Sequence, residues 1–131
     1  MSGISKEWFE LLSEDAIPRF KGKPNTLSYV EIWTDCPGEH ETMWIWYNLQ
    51  GGIGCVDRGC GFDIHDVPPH DLMICATYDA HKEVIEGKID PVKGLFSGRV
   101  KPMDCTVKTI LKNMPLFNLL TESKRSIDWE Y

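Results

Sequence analysis

Cysteine, histidine and aspartate side chains concentrate in the middle of the chain, where they could support nucleophilic chemistry. Cys55 and Cys60 flank Arg58, and a neighbouring cation lowers the pKa of a thiol and makes it more reactive. His65 and Asp66 follow closely and could act as an acid or a base. A single pair of cysteines is nevertheless a weak signal, because free cysteines are commonly small buried apolar residues. We therefore assign no catalytic residue and keep an enzyme that uses this segment as the alternative.

The stretch from Asp63 to Asp71 contains two histidines and three aspartates, which could bind a transition metal. Its spacing matches no recognised zinc pattern, and Pro68-Pro69 stiffens the chain there. We predict a solvated polar loop, with no metal site and no cofactor. The Gly51–Gly54 stretch lacks the lysine of a phosphate-binding loop, and Ser97 lacks the preceding glycine of a serine-hydrolase elbow.

Charge and composition exclude other classes of function. The 131 residues carry a formal net charge of −6, which argues against binding nucleic acid or anionic membranes. The longest apolar runs, Met43–Tyr47 and Leu72–Ala76, are far too short for a membrane span, so no stable membrane insertion is expected. The cysteine count is odd, at five, and Met1–Glu10 shows no secretory pattern. We therefore predict free thiols, a cytoplasmic location and a single domain over residues 1–131.

The apolar and turn-forming residues predict an α+β order of helix, strands, helices, short strand and helix. Ser5 is expected to cap the first helix and Pro18 to interrupt it. A hairpin with a loop of about six residues and an irregular segment over 57–71 are also expected. Strands are predicted at Tyr29–Thr34, Glu41–Leu49, Ile53–Val56, Asp71–Thr77 and Arg99–Lys101. The later helices are predicted to begin at Thr77 or Asp79, at Asp90 and at Asp104, and the second of these to end at Gly98.

The final helix carries an apolar stripe. Val107, Ile110, Leu111 and Met114 fall at positions i, i+3, i+4 and i+7, before Pro115 breaks or kinks the helix. Such a stripe faces either a plain core or a bound apolar molecule. Methionine suits the second role because its side chain is flexible and polarizable, and the residues alone leave the two readings open.

Between a predicted strand and the terminal amphipathic helix lie three characteristic segments, Thr77–His81, Glu86–Pro91 and Phe96–Lys101. With these segments, residues 71–120 resemble the sterol carrier protein 2 family. The resemblance implies a sterol-carrier-like α+β fold. Its sheet would have about five mainly antiparallel strands covered by helices on one face, with an interior apolar tunnel between the layers. The chain departs from the family pattern at Pro102-Met103-Asp104 and at Pro115.

The resemblance implies a lipid-binding protein that carries or presents a fatty acyl chain, a sterol or a similar ligand. An isolated domain of this kind is usually not an enzyme. The alternative is a small enzyme that acts on a steroid or acyl thioester through the cysteine, histidine and aspartate residues of the 55–71 segment. An oligomer is also compatible with the sequence. The residues expected to contact the ligand are Trp33, Trp44, Trp46, Phe96, Met103, Val107, Ile110, Leu111, Met114 and Phe117.

Overall fold

One mixed sheet organises residues 3–131, the part of the chain that the computed structural model describes. Its strands are β1 (Leu27–Thr34), β2 (Met43–Gln50), β3 (Gly54–Gly61), β4 (Leu72–Thr77) and β5 (Val100–Met103). They lie in the order β3-β2-β1-β4-β5. Only the β1–β4 pair is parallel among them. The predicted α+β class and the five-stranded, mainly antiparallel sheet are therefore confirmed.

Five α-helices accompany the sheet: α1 (Lys6–Phe20), α2 (Tyr78–Ile85), α3 (Pro91–Ser97), α4 (Val107–Lys112) and α5 (Met114–Ser126). The main core lies between these helices and one sheet face, where Tyr29, Trp33, Ile45 and Tyr47 are buried. On the opposite face, Val67 of the segment after β3 packs against a smaller apolar cluster. Within the described residues every helix is too short or too polar to cross a membrane.

The predicted helix ends are largely confirmed by their capping hydrogen bonds. Ser5 Oγ accepts from the Trp8 amide at 3.1 Å, and Thr77 Oγ1 accepts from the Ala80 amide at 3.1 Å. The Asp90 carboxylate caps α3, and Gly98 ends it with a φ of 81°, a left-handed conformation that glycine adopts without steric cost.

Three local predictions are wrong. Helix α1 continues past Pro18 to the buried Phe20, because proline removes only one intrahelical hydrogen bond near the end. Helix α4 is capped by Thr106, while Asp104 takes a left-handed conformation with a φ of 57°. The hairpin loop spans Asp35–Thr42 and is longer than expected.

Strand β3 also continues to Gly61, through residues 57–61, which were predicted to be irregular. The glycine content of this stretch is typical of a loop. In the structure, however, Gly61 lies directly against the Trp44 ring, and a Cβ atom there would be only 2.7 Å from it. Gly59 likewise lies beneath the Trp44 and Trp46 rings, and tryptophan side chains that cover glycines stabilise a strand which would otherwise be weak.

Candidate functional site

A cavity lies between the sheet and the later helices. Its walls come from β1, β4, β5 and all four helices after α1. Most of the lining is apolar, but one side is formed by charged and polar groups. The lining residues are Tyr29, Glu31, Ile74, His81, Val84, Pro91, Leu95, Val100, Ile110, Met114, Phe117, Thr121 and Lys124.

The cavity has an apolar rim and a polar floor. Val84, Pro91 and Met114 are half-buried and form the rim, whereas Glu31 and Lys124 are 2% and 5% exposed. A ligand that enters from the rim therefore meets hydrocarbon first and charged groups last.

Glu31 is the centre of the polar floor. Its Oε1 accepts hydrogen bonds from Lys124 Nζ at 2.6 Å and Trp33 Nε1 at 2.7 Å. Its Oε2 accepts from the Tyr29 hydroxyl at 2.5 Å. Lys124 Nζ also lies 5.6 Å from the centroid of the Trp33 ring, which attracts the cation further. A buried carboxylate is tolerated here because each of its oxygens has a hydrogen-bond donor.

The charge state of Glu31 follows from these neighbours. Burial alone would raise the pKa of this carboxyl, but the Lys124 ammonium opposes it, and His81 and the hydrogen bonds from Lys124 and Tyr29 add to that effect. Together they lower the pKa of Glu31 to about 2. The floor therefore holds a carboxylate and an ammonium at neutral pH, with no net charge between them.

His81 completes the floor in its neutral form. Its ring stacks on Trp33 with the centroids 4.1 Å apart. Its Nε2 lies 2.9 Å from the Ile32 carbonyl oxygen; because that oxygen can only accept, Nε2 carries the hydrogen. Burial lowers the pKa of His81 to about 4, although the nearby Glu31 carboxylate partly opposes this. At neutral pH Nδ1 therefore keeps its lone pair.

The cavity is small as it stands, at about 50 Å³. An engineered cavity of about 150 Å³ binds benzene, and about 10–15 Å³ holds one water. The space therefore matches a few waters or a small polar group rather than a whole lipid. The predicted interior tunnel is not open in this structure.

The seven predicted ligand-contacting residues other than the tryptophans fall into three groups. Ile110, Met114 and Phe117 line the cavity. Val107 is half-buried outside the lining, and three others are exposed on the surface. Those three are Phe96 at 71%, Met103 at 41% and Leu111 at 37%.

The three tryptophans of the prediction lie on different faces of the sheet. Trp33 is fully buried behind His81 and reaches the floor through its hydrogen bond to Glu31. Trp44 and Trp46 belong to the opposite face. Trp44 Nε1 donates to the Asp63 carbonyl there at 2.8 Å, which ties down the segment after β3.

The residues of the enzyme alternative are not brought into one site. In the β2–β3 register, Cys55 lies opposite Leu49 and Cys60 lies opposite Ile45. Both cysteines pack against the core beneath the helices. Ile45 and Leu49 are four residues apart on β2, so the two cysteine backbones are separated by about 13 Å, too far for a disulfide. His65 is exposed in the 3₁₀ helix Ile64–Asp66, which lies in the segment over the other sheet face.

Thiol chemistry is also not favoured electrostatically. Burial raises the pKa of both Cys55 and Cys60, so their nucleophilic thiolate forms are disfavoured. All five cysteines are free in the structure. Across residues 3–131, no three histidine, cysteine, aspartate or glutamate side chains are placed to hold a metal ion.

The polar floor is the feature that the sequence analysis missed. Glu31 interrupts the apolar strand sequence Tyr-Val-Glu-Ile-Trp, and a lone carboxylate in such a run is the one signal that could have marked it. Its partner Lys124 lies 93 residues later in a polar helix end and shows no distinguishing pattern.

Comparison with solved structures identifies the fold as that of sterol carrier protein 2. A hypothetical protein from Thermus thermophilus, described as a possible sterol carrier protein, matches with a TM-score of 0.74 and 16% identity over 98% of this chain and 95% of its own. A crystal structure of sterol carrier protein 2 matches with a TM-score of 0.72 and 13% identity over 93% and 96%. The sterol carrier protein domain 2 of Helicoverpa armigera matches with a TM-score of 0.53 and 17% identity over 98% of both chains.

The similarity is one of structure rather than of sequence. No protein-family model matches the chain, and no curated protein matches it. The fold that the resemblance implied is therefore confirmed, while the ligand has to be inferred from this chain's own residues.

Proposed function

We propose that this protein binds an apolar small molecule, such as a lipid, between its sheet and its later helices, and carries or presents it. The observation that supports this is the cavity itself. Apolar side chains from six separate elements meet there without filling the space, although protein interiors are normally close-packed.

Binding a long chain requires the cavity to enlarge. The weakest walls are α3 and α4, because α3 buries only Gly94 and Leu95 while α4 buries only Ile110. Short helices with few buried side chains open at low free-energy cost. We infer that α3 and α4 move away from the sheet when a ligand enters past Val84, Pro91 and Met114.

The gain in free energy comes from removing hydrocarbon from water. Each buried CH₂ group contributes about 0.8 kcal/mol, so a chain of ten carbons offsets the cost of a local opening with few polar contacts. The free thiols agree with a reducing compartment, and we keep the cytoplasm as the proposed location.

A fluorescence titration with Nile red, an uncharged apolar dye, tests this proposal. We expect one dye per protein with micromolar affinity, and displacement by a long-chain alcohol, a fatty acid or a sterol. If neither the dye nor any of these lipids binds at micromolar concentration, the protein is not a carrier of this kind.

Two matched variants locate the dye. Met114→Trp adds bulk at the rim, whereas Asn118→Trp adds the same side chain at an exposed position of the same helix. We expect the first variant to weaken dye binding by about tenfold, which corresponds to 1.4 kcal/mol, and the second to leave it unchanged. Equal effects would place the dye outside the cavity.

A further inference from the structure

The polar groups that face the cavity are not all paired, and the unpaired ones define what could bind. Two of the five have used their only hydrogen. The Tyr29 hydroxyl donates to Glu31 Oε2, and the Thr121 hydroxyl donates to the Phe117 carbonyl at 3.0 Å. Both oxygens of Glu31 accept from the groups described above. The remaining capacity therefore lies with Lys124 and His81.

Lys124 has a spare donor. Its ammonium carries three hydrogens, yet Glu31 is its one oxygen or nitrogen partner in the described part of the chain. The Lys124 side chain is only 6% exposed, so bulk water is not freely available to accept hydrogen bonds from its remaining hydrogens. An unused buried donor costs free energy that a ligand oxygen would recover.

His81 has a spare acceptor. Its Nε2 hydrogen is used by the Ile32 carbonyl, and Nδ1 has no hydrogen-bond donor among residues 3–131. Glu31 Oε1 lies 3.8 Å from Nδ1 and is itself an acceptor, so it cannot donate to Nδ1. The floor thus presents unused hydrogens on Lys124 and an unused acceptor on His81, and both groups lie beside Glu31 Oε1, at 2.6 Å and 3.8 Å.

We propose that the floor binds a hydroxyl group, and that the ligand is therefore an uncharged lipid with a terminal alcohol, its hydroxyl donating to His81 Nδ1 and accepting from Lys124 Nζ. This inference rests on the proposed function, because the apolar cavity must take the rest of the molecule. A hydroxyl group is the smallest group that can donate and accept at once.

Charge argues against a carboxylate at this position. Glu31 and Lys124 neutralise each other, and His81 is uncharged at neutral pH. An ionised fatty acid would therefore add an uncompensated negative charge to a buried site next to Glu31, and such a charge is costly to desolvate. An alcohol brings no charge and satisfies both spare groups.

Three ligands with the same ten-carbon chain test the proposal by displacement of Nile red at pH 7.5: decan-1-ol, its methyl ether 1-methoxydecane, and decanoate. The ether can accept a hydrogen bond but cannot donate one. We expect decanol to displace the dye at about a tenfold lower concentration than the ether, and decanoate to be weaker than decanol. A plain apolar cavity would instead favour the more hydrophobic ether.

Two variants assign the preference to the floor. His81→Phe keeps a ring that can stack on Trp33 but removes the Nδ1 acceptor, together with the hydrogen bond to the Ile32 carbonyl. The double variant Glu31→Gln, Lys124→Met removes both charges together and leaves no unpaired ion. In each, we expect the alcohol-to-ether preference to fall below about threefold while Nile red still binds. The control Lys23→Met removes an exposed lysine outside the cavity lining and should keep the preference.

The outcomes separate this inference from the proposed function. If Nile red and all three ligands fail to bind, the proposed function itself is wrong. If the dye binds but decanol and its ether compete equally, or decanoate competes best, the cavity is apolar but the hydroxyl assignment is overturned. The same follows if both variants are folded by circular dichroism and keep the wild-type preference. The wild-type ranking decides the question even if one variant does not fold.

Discussion

The helical layer over the sheet has two halves that are packed very differently. Beneath α1, Trp8, Leu12 and Ala16 are fully buried, and Phe9 and Phe20 pack on the Tyr47 ring with centroid distances of 5.6 Å. A gap of only about 10 Å³ lies where Phe20, at the end of α1, meets α5. Beneath α2 to α5 the cavity is about 50 Å³ and includes a buried ion pair. We refer to these as the packed half and the cavity half.

The difference separates stability from function within one core. The packed half stabilises the fold by burying aromatic and aliphatic surface, which needs no particular partner. The cavity half leaves apolar side chains and two polar groups without full partners, an arrangement that is costly unless a ligand binds. Variants in the two halves should therefore fail in different ways.

The largest effect is expected from breaking the ion pair in the cavity half. Lys124→Met leaves Glu31 buried and charged without its cation, so we expect a loss of about 3–5 kcal/mol in the free energy of unfolding. The double variant with Glu31→Gln should regain most of this, because no ion remains. Urea unfolding of both proteins checks the prediction, and an equal loss in the two would contradict it.

Leu12→Ala tests the packed half. Leu12 is fully buried in α1, and truncating such a residue costs about 2–5 kcal/mol through lost burial and the space left behind. The affinity of the folded protein for Nile red should not change, because Leu12 does not line the cavity. A thermal melt and a dye titration measure the two quantities, and a changed affinity would mean that the halves are coupled.

Acid should destabilise the cavity half through His81. The pKa of His81 is lowered from 6.5 to about 4 in the folded protein, so the unfolded chain binds the proton first as the pH falls. The stability that neutral His81 contributes is complete above pH 6.5 and is lost as the pH falls towards 4. Between pH 7 and pH 4.5 this amounts to about 2–3 kcal/mol.

The matched variant His81→Gln isolates that contribution. Its unfolding free energy should depend less on pH than that of the wild type over the same interval. Urea unfolding at pH 7 and pH 4.5 provides the comparison, and identical slopes in the two proteins would refute the neutral, buried His81. Glu31 loses its own contribution only between pH 4.5 and pH 2, outside this interval.

Met114→Ala should have the smallest effect on stability and a clear effect on binding. Met114 is half-buried at the rim, so its removal should cost only about 1 kcal/mol. The vacated space should favour longer chains, by about fourfold for each added methylene. Displacement of Nile red by alcohols of increasing length measures this preference. A large loss of stability with an unchanged preference would make Met114 an ordinary core residue.

Much of the fold could be predicted from local sequence. Caps such as Ser5, Thr77 and Asp90 act within three residues of themselves, so their chemistry is visible in the sequence. The full length of strand β3 was not predicted because its glycines pack against tryptophans of the neighbouring strand β2. That contact forms only once the two strands pair.

The candidate site shows the same limit more strongly. The stripe on the last helices identified Ile110, Met114 and Phe117 as residues that face something apolar, and all three line the cavity. The floor could not be found in this way, because Glu31, His81 and Lys124 come from β1, α2 and α5 and meet only in the folded chain. Leu111 satisfies the same helical spacing yet lies 37% exposed, and the six-residue helix α4 buries only its neighbour Ile110.

The most direct test of the account is a methyl NMR titration of the wild-type protein with decan-1-ol. Ile110, Val84 and Met114 report on the cavity half, while Leu12 and Ala16 report on the packed half. We predict saturable shift changes at the first three residues at one equivalent of alcohol, and none of comparable size at the other two. Changes that are uniform across both halves, or confined to the packed half, would contradict a binding site between the sheet and the later helices.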